Sequence, residues 1–332
     1  MSEPLHWGVL STALINEKML PGAARSSDVE VVAIASRDAR RAEAFAARWG
    51  IGQAYGSYDD LLSDDAVDAV YVPLPNGLHH PWTLRALQAG KHVLCEKPYS
   101  RRPADVEEAF ADADGRGLVL SEGFMYRYHP QIRELARIVR DKGLIGDVRL
   151  VASSFTWPTD APGDVRLDSS LDGGSLLDVG VYCISAARLL AGEPRTVAAH
   201  QVLGPTGVDV SFAATMELGS GALAHFDCGI NLPDRSHLEV VGSKGTVHVS
   251  DPWHCLEPGL TVVQQGRSAL RMPVAQANSY QLELEEFGKA VRRETHHLLG
   301  RDDALRQARA VDALFRAAAS GMRETVCRRR SE

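Results

Sequence analysis

The chain has 332 residues, 45% apolar and 24% charged, a composition that excludes a disordered, collagen-like or coiled-coil protein and leaves room for two globular domains. Thirty-six Lys and Arg stand against 43 Asp and Glu, a net charge of −7, which argues against wrapping a nucleic acid. No stretch reads as the roughly 18 apolar residues of a membrane helix, the first residues carry no signal-peptide pattern, and the five scattered cysteines form no C-x-x-C pair, so neither a disulfide framework nor a structural zinc is expected and a reducing cytoplasm fits.

The first third of the chain alternates strand and helix. Residues 6–10 and 29–35 read as strands rich in Val and Ile, 57–62 as a short helix and 67–72 as a buried strand. A helix over 81–89 with Pro81 in its first turn follows, stopped by Gly90. A fourth strand at 91–95, a helix at 103–116 and a fifth strand at 118–120 complete the pattern. Alternation of this kind predicts a doubly wound parallel sheet, and apolar runs without polar alternation suit strands covered on both faces.

From about residue 125 strands follow one another through turn sequences. They are read at 148–157, 196–203, 208–218, 222–230, 237–242, 246–249 and 261–265, with tight turns such as Gly219-Ser220-Gly221 and Gly242-Ser243-Lys244-Gly245. Strands joined so closely are antiparallel. Helices are expected at 175–190, 281–293 and 304–319. The fold class is therefore α/β: a Rossmann dinucleotide-binding domain over 1–124, then an α+β domain over 125–332 with a large, mostly antiparallel open sheet. The open face of that sheet is a natural surface for a second subunit, and the last helix is free to return to the first domain. Arg328-Arg329-Arg330 reads as a solvated tail.

A dinucleotide fold places a glycine-rich turn after its first strand. Here the segment is Ser11-Thr12-Ala13-Leu14-Ile15-Asn16, with Ser11, Ala13 and Asn16 in the three glycine places. Taken blindly this is a broken fingerprint, compatible with a pyrophosphate site or an ordinary tight turn. Strand two ends in Ser36-Arg37, with Arg40 and Arg41 one helical turn on, where an NAD site would carry an acid. A hydroxyl and guanidinium groups suit the 2′-phosphate of NADP instead, although such arginines also occur on plain solvated helix starts.

Three further clusters lie where ligands bind or on a helix of the second domain. They are Pro73-Leu74-Pro75-Asn76-Gly77-Leu78-His79-His80, Cys95-Glu96-Lys97-Pro98, and Gly173-Gly174-Ser175-Leu176-Leu177-Asp178-Val179-Gly180-Val181-Tyr182. With Glu122-Gly123-Phe124-Met125-Tyr126-Arg127-Tyr128-His129-Pro130 and Gly242-Ser243-Lys244-Gly245, these strings resemble the glucose–fructose oxidoreductase/inositol dehydrogenase (Gfo/Idh/MocA) family over nearly the whole chain. Glu96-Lys97-Pro98 is the most specific of them. The likeness is greatest to the branch holding NADP-dependent xylose dehydrogenase, dimeric dihydrodiol dehydrogenase and sugar 3-ketoreductases, whose turn also tends to begin with Leu-Ser.

The resemblance implies NADP(H) and a hydride exchanged with a sugar-like carbon. It implies a cofactor surface of Ser11, Thr12, Ala13, Leu14, Ile15, Ser36, Arg37, Arg41, Pro73, Leu74, Asn76, His79, Glu96 and Lys97. Lys97 is the family lysine, suited to stabilising developing alkoxide charge. Many members carry His where Tyr182 stands; a phenol beside an ammonium can do the same proton work. Tyr182 is assigned as general acid/base with Lys97 as its partner, or Lys97 as the acid itself, and Asp178, four residues before Tyr182 on one helix face, as the carboxylate that orients the substrate hydroxyls or the lysine.

Arg127, Trp157 and Arg166 are expected on the substrate side; Arg127 with His129, and Arg166 with Asp168, could equally brace the domain interface. Tyr126, Tyr128 and Trp157 could stack on a pyranose but read more simply as core. His79 and His80 read as helix-start and packing residues, and no metal is called for. The activity expected is an NADP(H)-dependent oxidoreductase of a sugar or cyclic polyol hydroxyl or its ketone, in a homodimer or homotetramer. The alternatives are a nucleotide-linked ketosugar 3-reductase and a non-catalytic NADP-binding regulatory module. The last would keep the cofactor turn and lose the lysine and acid; this chain does the reverse.

Overall fold

In the computed structural model, which describes residues 3–141, 143–159, 161, 163–295 and 299–326, strand and helix alternate from the start. The order is β1 (Leu5–Leu10), α1 (Asn16–Ala23), β2 (Val29–Ala35), α2 (Ala39–Trp49), β3 (Gln53–Tyr55), α3 (Tyr58–Leu62), β4 (Ala69–Val72), α4 (Asn76–Gln88), β5 (His92–Glu96), α5 (Pro103–Arg116) and β6 (Leu120–Gly123). The strands form one parallel sheet in the order β3-β2-β1-β4-β5-β6. The order reverses between β1 and β4, and the carboxyl ends beside such a reversal are where open α/β sheets take ligands.

Two sequence readings shift here. The helix expected from Pro81 begins five residues earlier, at Asn76, because Pro75, extended at φ −57° and ψ 147°, starts the turn and its carbonyl takes the Leu78 N–H at 2.8 Å. The fifth strand expected at 118–120 lies at Leu120–Gly123, where it pairs with Val93–Glu96.

The chain continues through α6 (Pro130–Asp141), β7 (Val148–Pro158), a π-helical turn (Leu176–Gly180), α7 (Val181–Ala191), β8 (Pro194–Leu203), β9 (Asp209–Leu218), β10 (Leu223–Gly229), β11 (Asn231–Gly242), β12 (Gly245–Ser250), β13 (Gly259–Gln264) and β14 (Leu270–Met272). It closes with α8 (Ser279–Val291), α9 (Arg301–Ser320) and β15 (Glu324–Thr325). The later strands make a nine-stranded sheet, β14-β13-β12-β11-β7-β10-β9-β8-β15. It is mixed: β10 runs parallel to β7, because Leu223–Gly229 lies between β7 and its hairpin partner β9. Helix α6 and strands β3, β14 and β15 were not anticipated.

The chain divides into two compact units, Met1–Met125 with Asn278–Leu305, and Tyr126–Ala277 with Arg306–Glu332. Residues 278–305, which the sequence reading set beyond a boundary at 125, thus cluster with the first unit. There the Trp7 ring lies 4.9 Å from that of Phe287 on α8. Contrary to the sequence reading, Ser169–Ala191 holds an 18-residue window apolar and long enough to cross a membrane by composition, but 89% of that window is buried, and α7 and the π turn lie against β7 and β10. Cys95, Cys183, Cys228 and Cys255 are free and buried; Cys327 and Arg328-Arg329-Arg330 fall outside the described residues.

Candidate active site

In the first unit the turn after β1 manages without the three glycines. Ser11 sits at φ 123°, a conformation that favours glycine and costs another residue about 1–3 kcal/mol. Three hydrogen bonds offset that cost. Ser11 Oγ donates to Pro73 O at 3.3 Å and accepts from Ala13 N at 3.2 Å, and the Asn16 amide nitrogen donates to Ser11 O at 2.7 Å. Asn16, read from sequence as a departure from the fingerprint, is fully buried and works as the tie that shapes the turn.

The N–H groups of Thr12, Leu14 and Ile15 find no acceptor among the described residues, and Leu14 stands 85% exposed. Unspent donors at the amino end of α1 are what an anionic pyrophosphate requires. At the end of β2, Ser36 is buried with its Oγ accepting from Asp38 N at 3.2 Å, while Arg37, Arg40 and Arg41 are exposed. Arg41 reaches back to the carbonyl of Thr12 at 3.4 Å, joining the positive charge at β2 to the turn after β1. The donor set therefore fits a phosphorylated dinucleotide.

The segments after β4 and β5 are tied together from below. Glu96 accepts from the Tyr71 hydroxyl at 2.5 Å and from the backbone N–H of Lys97 at 3.2 Å. Tyr71 is fully buried, and burial followed by the Glu96 charge pushes its pKa well up, so it stays a donor. Tyr99 N donates to Glu122 at 2.9 Å. His79 faces inward, with Nδ1 2.8 Å from Pro98 O and Nε2 2.7 Å from Leu74 O, and burial lowers its pKa to about 4. The neutral ring, which can donate to one of these carbonyls at a time, packs between the two loops, beside buried Pro73 and Leu74 and half-buried Asn76. His80 meets the Tyr99 hydroxyl at 3.0 Å.

In the second unit, the helix that sequence places at 175–190 opens with the π turn before becoming α7. Wide turns of this type gather at functional sites, and Asp178 lies in the middle of this one. Gly180 lets the turn lie on β10: a Cβ there would come 2.7 Å from Cys228 Sγ. One carboxylate oxygen of Asp178 accepts from Trp157 Nε1 at 3.0 Å, and the other pairs with Arg166 Nε at 3.1 Å. Arg166 lies over the Trp157 ring at 5.0 Å and also reaches Asp164 at 3.3 Å. Burial works against the guanidinium charge, but the carboxylates of Asp178 and Asp164 outweigh it and raise the pKa of Arg166.

Tyr182 is buried, its ring 5.5 Å from Phe155, 5.6 Å from Tyr126 and 6.0 Å from Trp253. Tyr126 and Tyr128 are core residues, each at most 1% exposed; the Tyr126 hydroxyl and Arg127 both donate to Ser185 Oγ, at 2.8 and 3.1 Å. His129 is buried and accepts from Gln131 N at 3.1 Å, and Asp168 accepts from Ser170 N at 2.8 Å. The structure thus brings Trp157, Arg166, Asp178 and Asp164 into one cluster. Sequence reasoning did not reach Asp209, whose carboxylate caps the π turn; an acid on the inward face of a strand was the available signal.

Among the described residues no group of three or more His, Cys, Asp and Glu side chains could hold a metal ion.

Comparisons with known proteins agree with the two-part fold. Residues 5–124 match the family model described as an oxidoreductase family with NAD-binding Rossmann fold, and residues 132–248 match the Gfo/Idh/MocA C-terminal domain. D-xylose 1-dehydrogenase (NADP(+)) 2 of Haloferax volcanii is 37% identical over 95% of this chain and 98% of its own. A 3-ketoreductase from Actinomadura kijaniata, solved with NADP and TDP-benzene, superposes with a TM-score of 0.89 at 36% identity over 95% of this chain and 98% of its own. That protein was also solved with a lysine replaced by alanine or glutamate and with a tyrosine replaced by phenylalanine. Aldose–aldose oxidoreductase from Caulobacter crescentus, complexed with glycerol, gives 0.90 at 28% identity over 97% and 99%. The chain belongs to the Gfo/Idh/MocA oxidoreductase family.

Proposed function

We propose that this protein is an NADP(H)-dependent oxidoreductase acting on a ring hydroxyl of a sugar or cyclic polyol, or on the matching ketone. The observation that carries the cofactor half is the turn after β1, whose open N–H groups stand beside Ser36, Arg37 and Arg41 in place of the ribose-binding acid of NAD sites. The substrate half follows the relatives, which are named for xylose, for dTDP-3,4-didehydro-2,6-dideoxy-alpha-D-glucose and for aldoses.

The nicotinamide supplies the hydride acceptor or donor; the chain must hold substrate and handle one proton. Tyr182 is the general acid/base at its phenol oxygen and Lys97 its electrostatic partner, or Lys97 is the acid at Nζ. Either places positive or hydrogen-bonding character where alkoxide charge develops. Asp178, held by Trp157 and Arg166, orients the substrate hydroxyls, and Arg127 is a further substrate-binding residue of the second unit. Ser11 to Ile15, Pro73, Leu74, Asn76, His79 and Glu96 shape the cofactor surface.

The test follows reduced-nicotinamide absorbance with NADP and NAD against pyranoses and cyclic polyols. Turnover with NADP and one sugar is expected, and Lys97→Ala, still folded and binding NADPH, should lose about 100-fold or more in kcat/KM. The parent rate in that variant would refute the assignment. A nucleotide-linked ketosugar is the second reading, favoured by the TDP-benzene complex of the 3-ketoreductase; it predicts reduction of such a ketone and silence with free sugars. A homodimer or homotetramer through the open sheet face, where Leu223 and Val202 are exposed, is expected by light scattering. Four buried free thiols suit a reducing cytoplasm.

A further inference from the structure

The helix that carries Asp178 and Tyr182 starts with its donors aimed at a carboxylate from another element. Ser175 Oγ donates to Asp209 Oδ2 at 2.6 Å, and Leu176 N donates to the same oxygen at 2.7 Å. Asp209 opens β9 and is 3% exposed. Gly174, at φ 117°, makes the approach possible, because a Cβ there would collide with Asp209 Oδ1.

The same start is tied to the Arg166 loop. Gly174 N donates to Arg166 O at 2.9 Å, Asp178 N donates to Gly174 O at 3.0 Å, and the Arg166 guanidinium returns to the Asp178 carboxylate at 3.1 Å. Cap, first turn and the Asp178–Arg166 pair form one closed set of polar contacts.

We propose that ionised Asp209 is a positioning residue, its charge at the amino end of the helix fixing the wide first turn that aims Asp178 and Tyr182. The inference rests on the roles given to those two residues above. Negative charge is favoured at a helix amino end, and hydrogen bonds to a carboxylate are stronger than those to a neutral acid. Burial opposes the charge and raises the pKa of Asp209 to about 6, within reach of an ordinary assay. The groups facing it are Ser175 at the helix start and Cys228 on β10, with Cys183 of α7 and Asp227 of β10 behind them. Burial raises both thiols, so they stay neutral near that pH.

Asp209→Asn keeps the size and an oxygen able to accept both hydrogen bonds while removing the charge. Its kcat near neutral pH should fall about threefold to tenfold with KM nearly unchanged, and the acid limb of the parent profile should flatten. Amide exchange at Leu176 and Asp178 should quicken in the variant at neutral pH and match the parent at acid pH. A parental rate and pH profile in Asp209→Asn overturns the proposal, and so does faster exchange with an unchanged rate, which makes the cap structural only. Should that variant fail to fold, Ser175→Ala removes one donor and is expected to move the acid limb upward; an unmoved limb overturns the proposal. Exchange is read without substrate, so a failed free-sugar assay counts against the free-sugar reading alone, whereas unaltered exchange counts against the cap.

Discussion

Two helix starts in this protein face the same physical problem, the unpaired N–H groups of a first turn, and meet it in opposite ways. At α1 the turn has lost its glycines, is shaped by Ser11 and Asn16, and leaves the N–H groups of Thr12, Leu14 and Ile15 unspent. At the π turn the glycines remain, and Asp209 takes the Leu176 N–H from inside the second unit. One start is open to an anion from outside; the other carries its own. Glycine is therefore not the mark of the ligand site here. It marks the start where a carboxylate of the same chain comes close.

The largest effect that would break this contrast is expected from Gly174→Ala. The added Cβ meets Asp209 Oδ1 at a backbone angle that favours glycine, so the unfolding free energy should drop by about 3 kcal/mol or more, read as a lowered thermal midpoint. Unchanged stability would mean that the cap is looser than drawn.

Next comes pH. Asp209 has its folded pKa raised to about 6 from an ordinary 3.8, so the folded state holds this proton more tightly than the unfolded one. Its contribution to stability is fully present below the unfolded value and is lost as pH rises through the folded one, at most about 3 kcal/mol between pH 4 and 6. Asp209→Asn should remove that part of the slope in thermal scans. Ionisation thus costs stability while, in the proposal above, it serves activity.

At the open start the effects are smaller. Arg41→Ala should weaken NADPH binding about tenfold and leave NADH nearly unchanged, as measured by fluorescence titration. An equal loss for both cofactors would place Arg41 in the turn alone, through its bond to Thr12 O. Asn16→Ala should cost about 1 kcal/mol in stability and weaken both cofactors alike, since it releases Ser11 O without touching charge.

Most of the first sheet was legible because its strands are uninterrupted apolar runs and its turns carry Pro and Gly at their usual places. Helix α5 was read to the residue at Pro103–Arg116, and the structure shows Pro at its start and Gly117 at its end. Other features were invisible because they depend on contacts far apart in sequence. The parallel pairing of β10 with β7 joins residues some 70 apart, against the local preference for hairpins. The π turn looks like an ordinary helix in its apolar pattern. Asn16 counted against the cofactor turn in the fingerprint, yet its side chain supplies a hydrogen bond where a glycine offers only space. Trp157 and Arg166 were singled out, but that both engage Asp178 needed the geometry.

The first unit is finished by residues 278–305, and that has a bearing on how the protein can be made and cut. During synthesis the opening 125 residues leave the ribosome well before α8, which is needed to cover Trp7 and lie along α1. The nucleotide-binding half cannot close when its own segment is complete; it must wait until most of the chain has emerged. A gene fragment ending near residue 125 should accordingly yield a sticky, exchange-labile product, and a useful separation of the halves would require grafting α8 back onto α5 or β6 through a new connection.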